Sequence, residues 1–391
     1  MLSEVRMRKN RSRKILLSFF LFSLFCLGSL WCQQDRRFFD DALPLSDDVR
    51  LTVLYPSLGD LRAFEQLRNQ GLIPIKNLTV VGLYHEKQLT TFAGSIRYAQ
   101  NNDLDWLKFH RLEGDLELEM LFEHNALSEE LYKIFSCSDG ILFFGGADIP
   151  ASVYREKTHL LTNITTPFRS YLDTTVIFHL LGGWQDKNFT AYCESRPEFT
   201  VLGLCLGCQS INVGTGGTLV QDIPSEIYGK NHIEDIIAMS QEDWHKNPFA
   251  MLYPREFRSS NLHRIKLAGD GKFVRDWGFK KEDEPLVYSS HHQTLQKLGK
   301  GIRVIATSLD GRVAEAIEHT VHANVLGVQF HPEARSLWDK DIKSRLTPEE
   351  EKTDFLSILE SNPPSLAFHK KIWSWFSQKL KASHRMRNTT E

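Results

Sequence analysis

The sequence predicts an α/β fold, in which a mostly parallel sheet carries helices on both faces and short antiparallel strands follow in the second half. Apolar runs alternate with segments of helical spacing through the first half, starting with a strand at 51–55 and a helix at 59–70. The same alternation then predicts strands at 78–84, 140–144 and 199–204, with helices at 128–135 and 167–181. Strands that alternate with helices are typical of parallel sheets covered on both faces.

The second half of the sequence has a different pattern, with short strands joined by turns such as Asp310-Gly311. These strands are predicted at 262–267, 303–306, 314–318 and 325–330. Residues 225–261 have weak periodicity, which indicates an insertion or cap. An amphipathic helix is predicted at 368–380, and residues 385–391 should form a frayed tail. We therefore expect one domain over residues 49–384.

The N-terminal segment differs from the rest of the chain. Six basic residues lie within the first fourteen positions, and residues 15–31 follow without a charge. A basic head before an apolar run is typical of a signal peptide or an N-terminal membrane anchor, predicted here for residues 1–32. Residues 33–48 are polar and acidic and should form a linker. We expect an exported, extracytoplasmic protein, attached to the membrane if this segment is retained.

Composition excludes several classes of protein. The chain has 391 residues, a net charge of −2 and 25% charged residues, so it lacks the basic footprint of a nucleic-acid-binding protein. Six cysteines are too few for a disulfide scaffold of this size, and their spacing does not match a structural zinc site. We expect no metal and no cofactor. The oligomeric state is left open.

The segment around Cys205 has the pattern of a nucleophile elbow. An apolar strand leads into Cys205, and Gly203 and Gly207 flank it two residues away on either side. At the start of a helix the cysteine would favour its thiolate form, and the N–H of Leu206 could stabilise an oxyanion. The alternative is a buried structural cysteine between packing glycines. Cys208 completes a C-x-x-C pattern but is expected to be a packing residue, because a disulfide would remove the nucleophile.

A second polar motif follows the last predicted strand, at His331-Pro332-Glu333. His331 could act as a general base, and Glu333 could orient its ring and stabilise the imidazolium. On its own such a tripeptide is more often an exposed turn. Its significance comes from pairing with the cysteine elbow at the same edge of the sheet.

Together, the segments GLCLGCQ and QFHPE resemble the class I glutamine amidotransferase superfamily. Neighbouring motifs are similar to its branch of γ-glutamyl-γ-aminobutyrate hydrolases and γ-glutamyl hydrolases. These motifs are Phe144-Gly-Gly-Ala-Asp148-Ile-Pro150, Ser290-His-His-Gln293 and Asp310 to Glu318. The resemblance runs from about 143 to 333 and implies a flavodoxin-like sheet. Residues 225–261 match no part of this family pattern. The resemblance therefore does not define the side of the pocket that would hold the leaving group.

The resemblance also implies a role for each matching residue. Cys205, His331 and Glu333 would form the catalytic triad. Gly146 and Leu206 would supply the oxyanion-hole N–H groups, and Gln209 and His292 would contact the substrate.

The reaction implied is hydrolysis of a γ-glutamyl amide, a small-molecule substrate, through a γ-glutamyl thioester. One alternative is an amidotransferase subunit that delivers ammonia to a separate synthase. The other is a binding protein that holds a γ-glutamyl ligand without turnover.

Overall fold

The computed structural model describes residues 37–389. Its fourteen strands in this range are β1 (Val49–Leu54), β2 (Leu78–His85), β3 (Leu107–Leu112), β4 (Gly140–Phe143), β5 (Thr200–Leu204), β6 (Leu219–Val220), β7 (Asn261–Leu267), β8 (Leu286–Ser289), β9 (Thr294–Leu295), β10 (Ile302–Ser308), β11 (Ala314–His319), β12 (Val325–Val328), β13 (Lys343–Ser344) and β14 (Thr353–Asp354). The longer helices are α1 (Leu58–Asn69), α2 (Leu89–Asn101), α3 (Ser128–Cys137), α4 (Pro167–Leu181), α5 (Leu206–Gly214), α6 (Phe355–Glu360) and α7 (Pro363–Arg387).

Ten strands form one central sheet in the order β3-β2-β1-β4-β5-β12-β11-β10-β7-β8. The six strands from β3 to β12 in this order are parallel to their neighbours. The remaining pairs are antiparallel. The predicted α/β class, a mostly parallel sheet followed by antiparallel strands, is therefore confirmed.

The order of the parallel strands is close to the predicted flavodoxin-like order. If the edge strand β3 is set aside, the remaining parallel strands follow the flavodoxin order, with the first strand between the second and third. Strand β3 and the helix α2 that precedes it were not predicted from the sequence. Strand β3 is an edge strand, separated from β4 by β2 and β1.

Two apolar clusters cover the two faces of the sheet. Along β1, Leu51 and Val53 belong to the cluster beneath α1 and α7, whereas Leu54 belongs to the cluster beneath α3, α4 and α5. This alternation is expected because successive strand side chains point to opposite faces. Burial on both faces keeps the parallel strands apolar and holds their carboxyl ends in fixed positions.

The C-terminal helix is longer than predicted. Helix α7 extends from Pro363 to Arg387, so the expectation of a frayed tail from residue 385 is wrong for residues 385–387. Arg387 is buried, and its guanidinium donates hydrogen bonds of 2.7 and 3.2 Å to the carboxylate of Asp139. A buried partner of opposite charge holds this last helical turn in place.

The predicted signal or anchor segment, residues 1–32, lies outside the described residues. Within residues 37–389, no helix has the length and apolar character needed to cross a membrane.

Candidate active site

The candidate site lies at the carboxyl ends of three neighbouring parallel strands, where ligands bind in open α/β sheets. Gly145 and Gly146 follow β4, Cys205 follows β5, and His331 lies three residues after β12. A hydrogen bond joins two of these segments directly: the Cys205 N–H donates to the carbonyl of Val328, the last residue of β12, at 2.8 Å. The fold thus brings together motifs that are far apart in the sequence.

Cys205 occupies the strained turn expected of a nucleophile elbow. Its φ is +50° and its ψ is −104°, a conformation that non-glycine residues rarely adopt. Gly203 and Gly207 make the turn possible, because a Cβ on Gly203 would lie 2.5 Å from the Gly207 backbone. A Cβ on Gly207 would lie 2.4 Å from the Phe143 carbonyl. The close approach of helix α5 to β4 and β5 therefore requires both glycines.

His331 and Glu333 form the acid–base pair beside the cysteine. Nδ1 of His331 lies 2.7 Å from Oε1 of Glu333, which leaves Nε2 as the nitrogen that serves Cys205. Burial disfavours a charged imidazole, but the charges of Glu333 and Cys205 outweigh it and hold the pKa of His331 well above its ordinary value. A protonated imidazole next to a thiolate is the active form of many cysteine nucleophiles.

The loop after β4 packs tightly against the triad. A Cβ on Gly145 would lie 2.7 Å from Cε1 of His331 and 3.4 Å from the Cβ of Cys205. A Cβ on Gly146 would lie 2.0 Å from a guanidinium nitrogen of Arg169. That buried arginine donates to the Phe144 carbonyl at 2.8 Å and so fixes the loop.

The two residues predicted for the oxyanion hole have free amide groups. Leu206 is the first residue of α5, and Gly146 lines the same cavity as Cys205. Within residues 37–389, neither amide N–H donates a hydrogen bond to a protein acceptor. Both groups therefore remain available to a ligand at the elbow.

A cavity of about 600 Å³ opens in front of Cys205. The stretch predicted as an insertion or cap supplies much of its wall, including Tyr228, Ile236, Trp244 and Met251. Residues 225–261 hold single-turn helices at Ile233–Ile237 and Phe249–Leu252 rather than a separate sheet. This volume suits a small-molecule ligand.

Gln209 and His292, the two predicted substrate contacts, both line this cavity. His292 lies between two carboxylates, with Nε2 3.0 Å from Asp148 and Nδ1 3.2 Å from Asp222. Burial alone would lower the pKa of His292, but these carboxylates raise it to about 9. The cavity wall therefore carries an alternating arrangement of negative, positive and negative groups.

Sequence reasoning missed several residues of this site. Asp148 lies within one of the recognised motifs, yet only the fold shows that it and Asp222 enclose His292. Gln329 is fully buried, and its Nε2 lies 3.9 Å from the Sγ of Cys205. Its position two residues before His331 was the one available signal, because side chains alternate along an extended strand end.

Cys208 lies where a packing residue was expected. It is buried on α5, and burial raises the pKa of its thiol well above the ordinary value, so it stays protonated. Both Cys205 and Cys208 are free thiols. This arrangement supports nucleophilic rather than redox chemistry at the elbow.

The chain is similar in sequence to several known proteins. A family model described as peptidase C26 matches residues 117–333. Similar curated proteins include the glutamine amidotransferase-like YvdE of Lactococcus lactis subsp. lactis, 29% identical over 53% of this chain and 70% of its own length. RP404 of Rickettsia prowazekii, also named glutamine amidotransferase-like, is 26% identical over 53% of this chain and 74% of its own. The glutamine amidotransferase Rv2859c of Mycobacterium tuberculosis is 30% identical over 49% and 50%. All three names present the assignment as provisional.

Proposed function

The chain belongs to the peptidase C26 family of class I glutamine amidotransferase-like hydrolases, and on this premise we propose that it cleaves γ-glutamyl amide bonds. The observation that carries the proposal is the placement of Cys205, His331 and Glu333 at one edge of the sheet, with Cys205 facing a small-molecule cavity. An acyl group bound there would meet an activated nucleophile and two free amide N–H groups.

The proposed reaction has two halves that share one thioester. The Cys205 thiolate attacks the γ-carbonyl carbon, and the N–H groups of Gly146 and Leu206 stabilise the oxyanion, each by about 3–4 kcal/mol. His331 donates its proton to the leaving nitrogen as the C–N bond breaks. Water then attacks the thioester, His331 takes a proton from it, and glutamate leaves as the thiolate is restored.

The polar wall of the cavity supports a ligand with both an amino and a carboxylate group. His292 presents a positive charge to the cavity, and Asp148, its hydrogen-bond partner, presents a negative charge. Gln209, one helical turn after Cys205, adds an amide that both donates and accepts. The α-amino and α-carboxylate groups of a glutamyl substrate carry the complementary charges.

The cap residues line the part of the cavity assigned to the other end of the substrate, the leaving amine. Apolar side chains such as Ile236 and Met251 line it together with Lys230 and Lys246. We therefore place the leaving amine beneath the cap. Its lysines suit an amine that carries an acidic group.

We also propose that the protein acts outside the cytoplasm. The support is the basic head and uncharged run of residues 1–31. An extracytoplasmic location favours hydrolysis over delivery of ammonia to a synthase, because most acceptors of ammonia require ATP. Cell fractionation of the full-length chain tests this, with a variant lacking residues 1–32 as the control. Equal distribution of the two proteins would contradict export.

The activity is tested by incubating the purified protein with a panel of γ-glutamyl amides and measuring glutamate release. We expect release by the wild type and none by Cys205→Ala. Cys208→Ala is the matched control, since it removes a buried thiol from the same helix without touching the nucleophile. Equal rates for wild type and Cys205→Ala would exclude the proposed mechanism.

The same panel distinguishes the two alternatives. Glutaminase activity that requires an added synthase would favour an amidotransferase subunit. Saturable binding of γ-glutamyl compounds without any turnover would favour a binding protein. We expect neither result.

A further inference from the structure

A second group of reactive side chains lies partly in the cavity wall and partly behind it, apart from the triad. We call it the histidine–glutamate cluster, and its members are His245, His263, His291 and Glu315. The cap contributes the first histidine, strand β7 the second, the loop after β8 the third and strand β11 the glutamate. All four residues are buried, with 0–4% of their surface exposed. Four ionisable groups without solvent are costly unless something compensates them.

The four side chains converge on one point. Oε1 of Glu315 lies 3.0 Å from Nδ1 of His245, 3.5 Å from Nε2 of His291 and 3.8 Å from Nε2 of His263. One ligand atom from each residue lies within 4.8 Å of all the others. A tetrahedral zinc ion with bonds of about 2.0–2.1 Å holds its ligand atoms roughly 3.4 Å apart. Small side-chain adjustments would thus complete a zinc site.

Two of the histidines present lone pairs to this point. Nδ1 of His291 lies 2.9 Å from the carbonyl of Gln293, and Nδ1 of His263 lies 3.2 Å from the carbonyl of Arg264. A carbonyl can only accept, so each Nδ1 carries the proton and each Nε2 keeps its lone pair. Such backbone hydrogen bonds commonly orient metal-binding histidines.

These lone pairs face a carboxylate that can only accept as well. Among residues 37–389, the inward nitrogens of the three histidines and both oxygens of Glu315 have no hydrogen-bond partner of good geometry. Each of these atoms exposes less than 1 Å² to solvent, so bulk water does not solvate it. A shared cation removes the repulsion and is bound by one ligand atom from each of the four residues. Protonating all three histidines would instead leave an excess of buried positive charge.

We propose that the histidine–glutamate cluster binds one zinc ion in a closed, four-ligand site. Three imidazoles and one carboxylate suit zinc, whereas magnesium and calcium prefer oxygen ligands. Iron and manganese usually take further ligands such as water, so a set of four protein ligands favours zinc. A site filled by four protein ligands is structural rather than catalytic.

The position of the site indicates what the zinc does. It links the cap to two strands of the central sheet and to the loop that carries His292 into the cavity. That loop already contacts the cap, because the N–H of His291 donates to the carbonyl of His245 at 3.0 Å. The metal therefore holds the cap closed over the cavity and fixes the substrate-side loop. This assignment does not depend on the chemistry of Cys205.

The test measures metal in the full-length protein, purified without a polyhistidine tag or added metal. We expect about one zinc per chain by elemental mass spectrometry. Removal with a chelator should lower the melting temperature, and added Zn²⁺ should restore it. Co²⁺ added to the metal-free protein should give the intense visible absorption of a tetrahedral site.

Variants locate the metal. Glu315→Gln and His263→Gln should each lose zinc, whereas Cys205→Ala should keep it. His369→Gln is the matched control, since this fully buried histidine lies on α7 outside the cluster. It should retain zinc even if its stability falls. The chelation and cobalt measurements on the wild type remain decisive if a cluster variant fails to fold.

The proposal is overturned if the wild type holds no zinc and neither its melting temperature nor its cobalt spectrum responds to metal. It is also overturned if Cys205→Ala loses the metal while His263→Gln retains it, which would place the ion at the triad. Stoichiometric iron or manganese would overturn the assignment of zinc.

Discussion

Nδ1 of His331 lies 2.7 Å from Oε1 of Glu333, two residues further along the chain. Pro332 between them restricts the backbone, so the pair is held by local geometry as well as by the hydrogen bond. The carboxylate fixes which imidazole nitrogen faces Cys205 and stabilises the protonated ring. Removing this carboxylate should therefore change the pH range over which His331 is protonated, as well as the orientation of its ring.

Glu333→Gln should shift the pH dependence of hydrolysis. The pKa of His331 is held well above its ordinary value, so the imidazolium persists at neutral pH, and its loss of a proton sets the alkaline limit of kcat/KM. Glutamine keeps a hydrogen-bond acceptor but removes the charge, so the pKa of His331 should fall and the alkaline limit should move to lower pH. A pH profile of kcat/KM for both proteins measures this. An unchanged alkaline limit would contradict the role of Glu333.

Gly146→Ala should reduce kcat by about 100-fold or more, the usual loss for one oxyanion-hole donor. An added Cβ would lie 2.0 Å from the Arg169 guanidinium and 2.9 Å from Leu206, so the loop must move away from Cys205. Steady-state kinetics measure the effect. Gly94→Ala is the control, because nothing lies within 4 Å of the added atom and α2 should only gain stability. Equal kcat values for the two variants would contradict the assignment.

Asp148→Asn should weaken substrate binding more than it slows the chemical step. The substitution removes a charged hydrogen bond of 3.0 Å to His292, which lies in the cavity wall and not beside Cys205. Loss of such a bond costs about 1.5–3 kcal/mol, which corresponds to an increase in KM of roughly 10- to 100-fold. The exposed Asp105→Asn is the control. A fall in kcat with constant KM would contradict this role.

Arg387→Met should lower the free energy of unfolding by about 3–5 kcal/mol, because it removes the guanidinium that pairs with the buried carboxylate of Asp139. Urea unfolding measures the loss, with the exposed Arg385→Met as the control. A loss equal to that of Arg385→Met would show that this buried pair does not hold α7.

The difference in the free energy of unfolding between the wild type and Arg387→Met should also depend on pH. Burial opposes the charge of Asp139, but His384 and Arg387 hold its pKa below the ordinary value of 3.8. The stabilisation is therefore present above about pH 4 and is lost as the pH falls through the lowered pKa of the folded protein. The wild type and Arg387→Met should approach each other in acid. A constant difference down to strongly acidic pH would contradict this account.

The sequence was sufficient for the parts of the molecule that local patterns determine. The run of apolar residues before Cys205 and the glycines around it require a strand-to-helix turn. The structure has that turn, with a positive φ at the cysteine. His331 and Glu333 were predictable for the same reason, since a short motif after a strand places both side chains at one point.

Other features depend on contacts between distant segments. His245, His263 and His291 come from separate stretches without a metal-binding spacing, and only the folded sheet brings them to Glu315. Arg387 has the appearance of a charged tail residue until α7 brings it to Asp139. Neither arrangement has a local signal, because tertiary packing and not periodicity determines it.

The most direct test of the central claim is the acyl intermediate on Cys205. The wild type is mixed with a γ-glutamyl amide, quenched rapidly in acid and analysed by intact and peptide mass spectrometry. The account predicts one glutamyl group per chain, attached to Cys205 and absent from Cys205→Ala. Turnover of the same substrate by the wild type without an adduct on Cys205, or with the adduct on another residue, would contradict it.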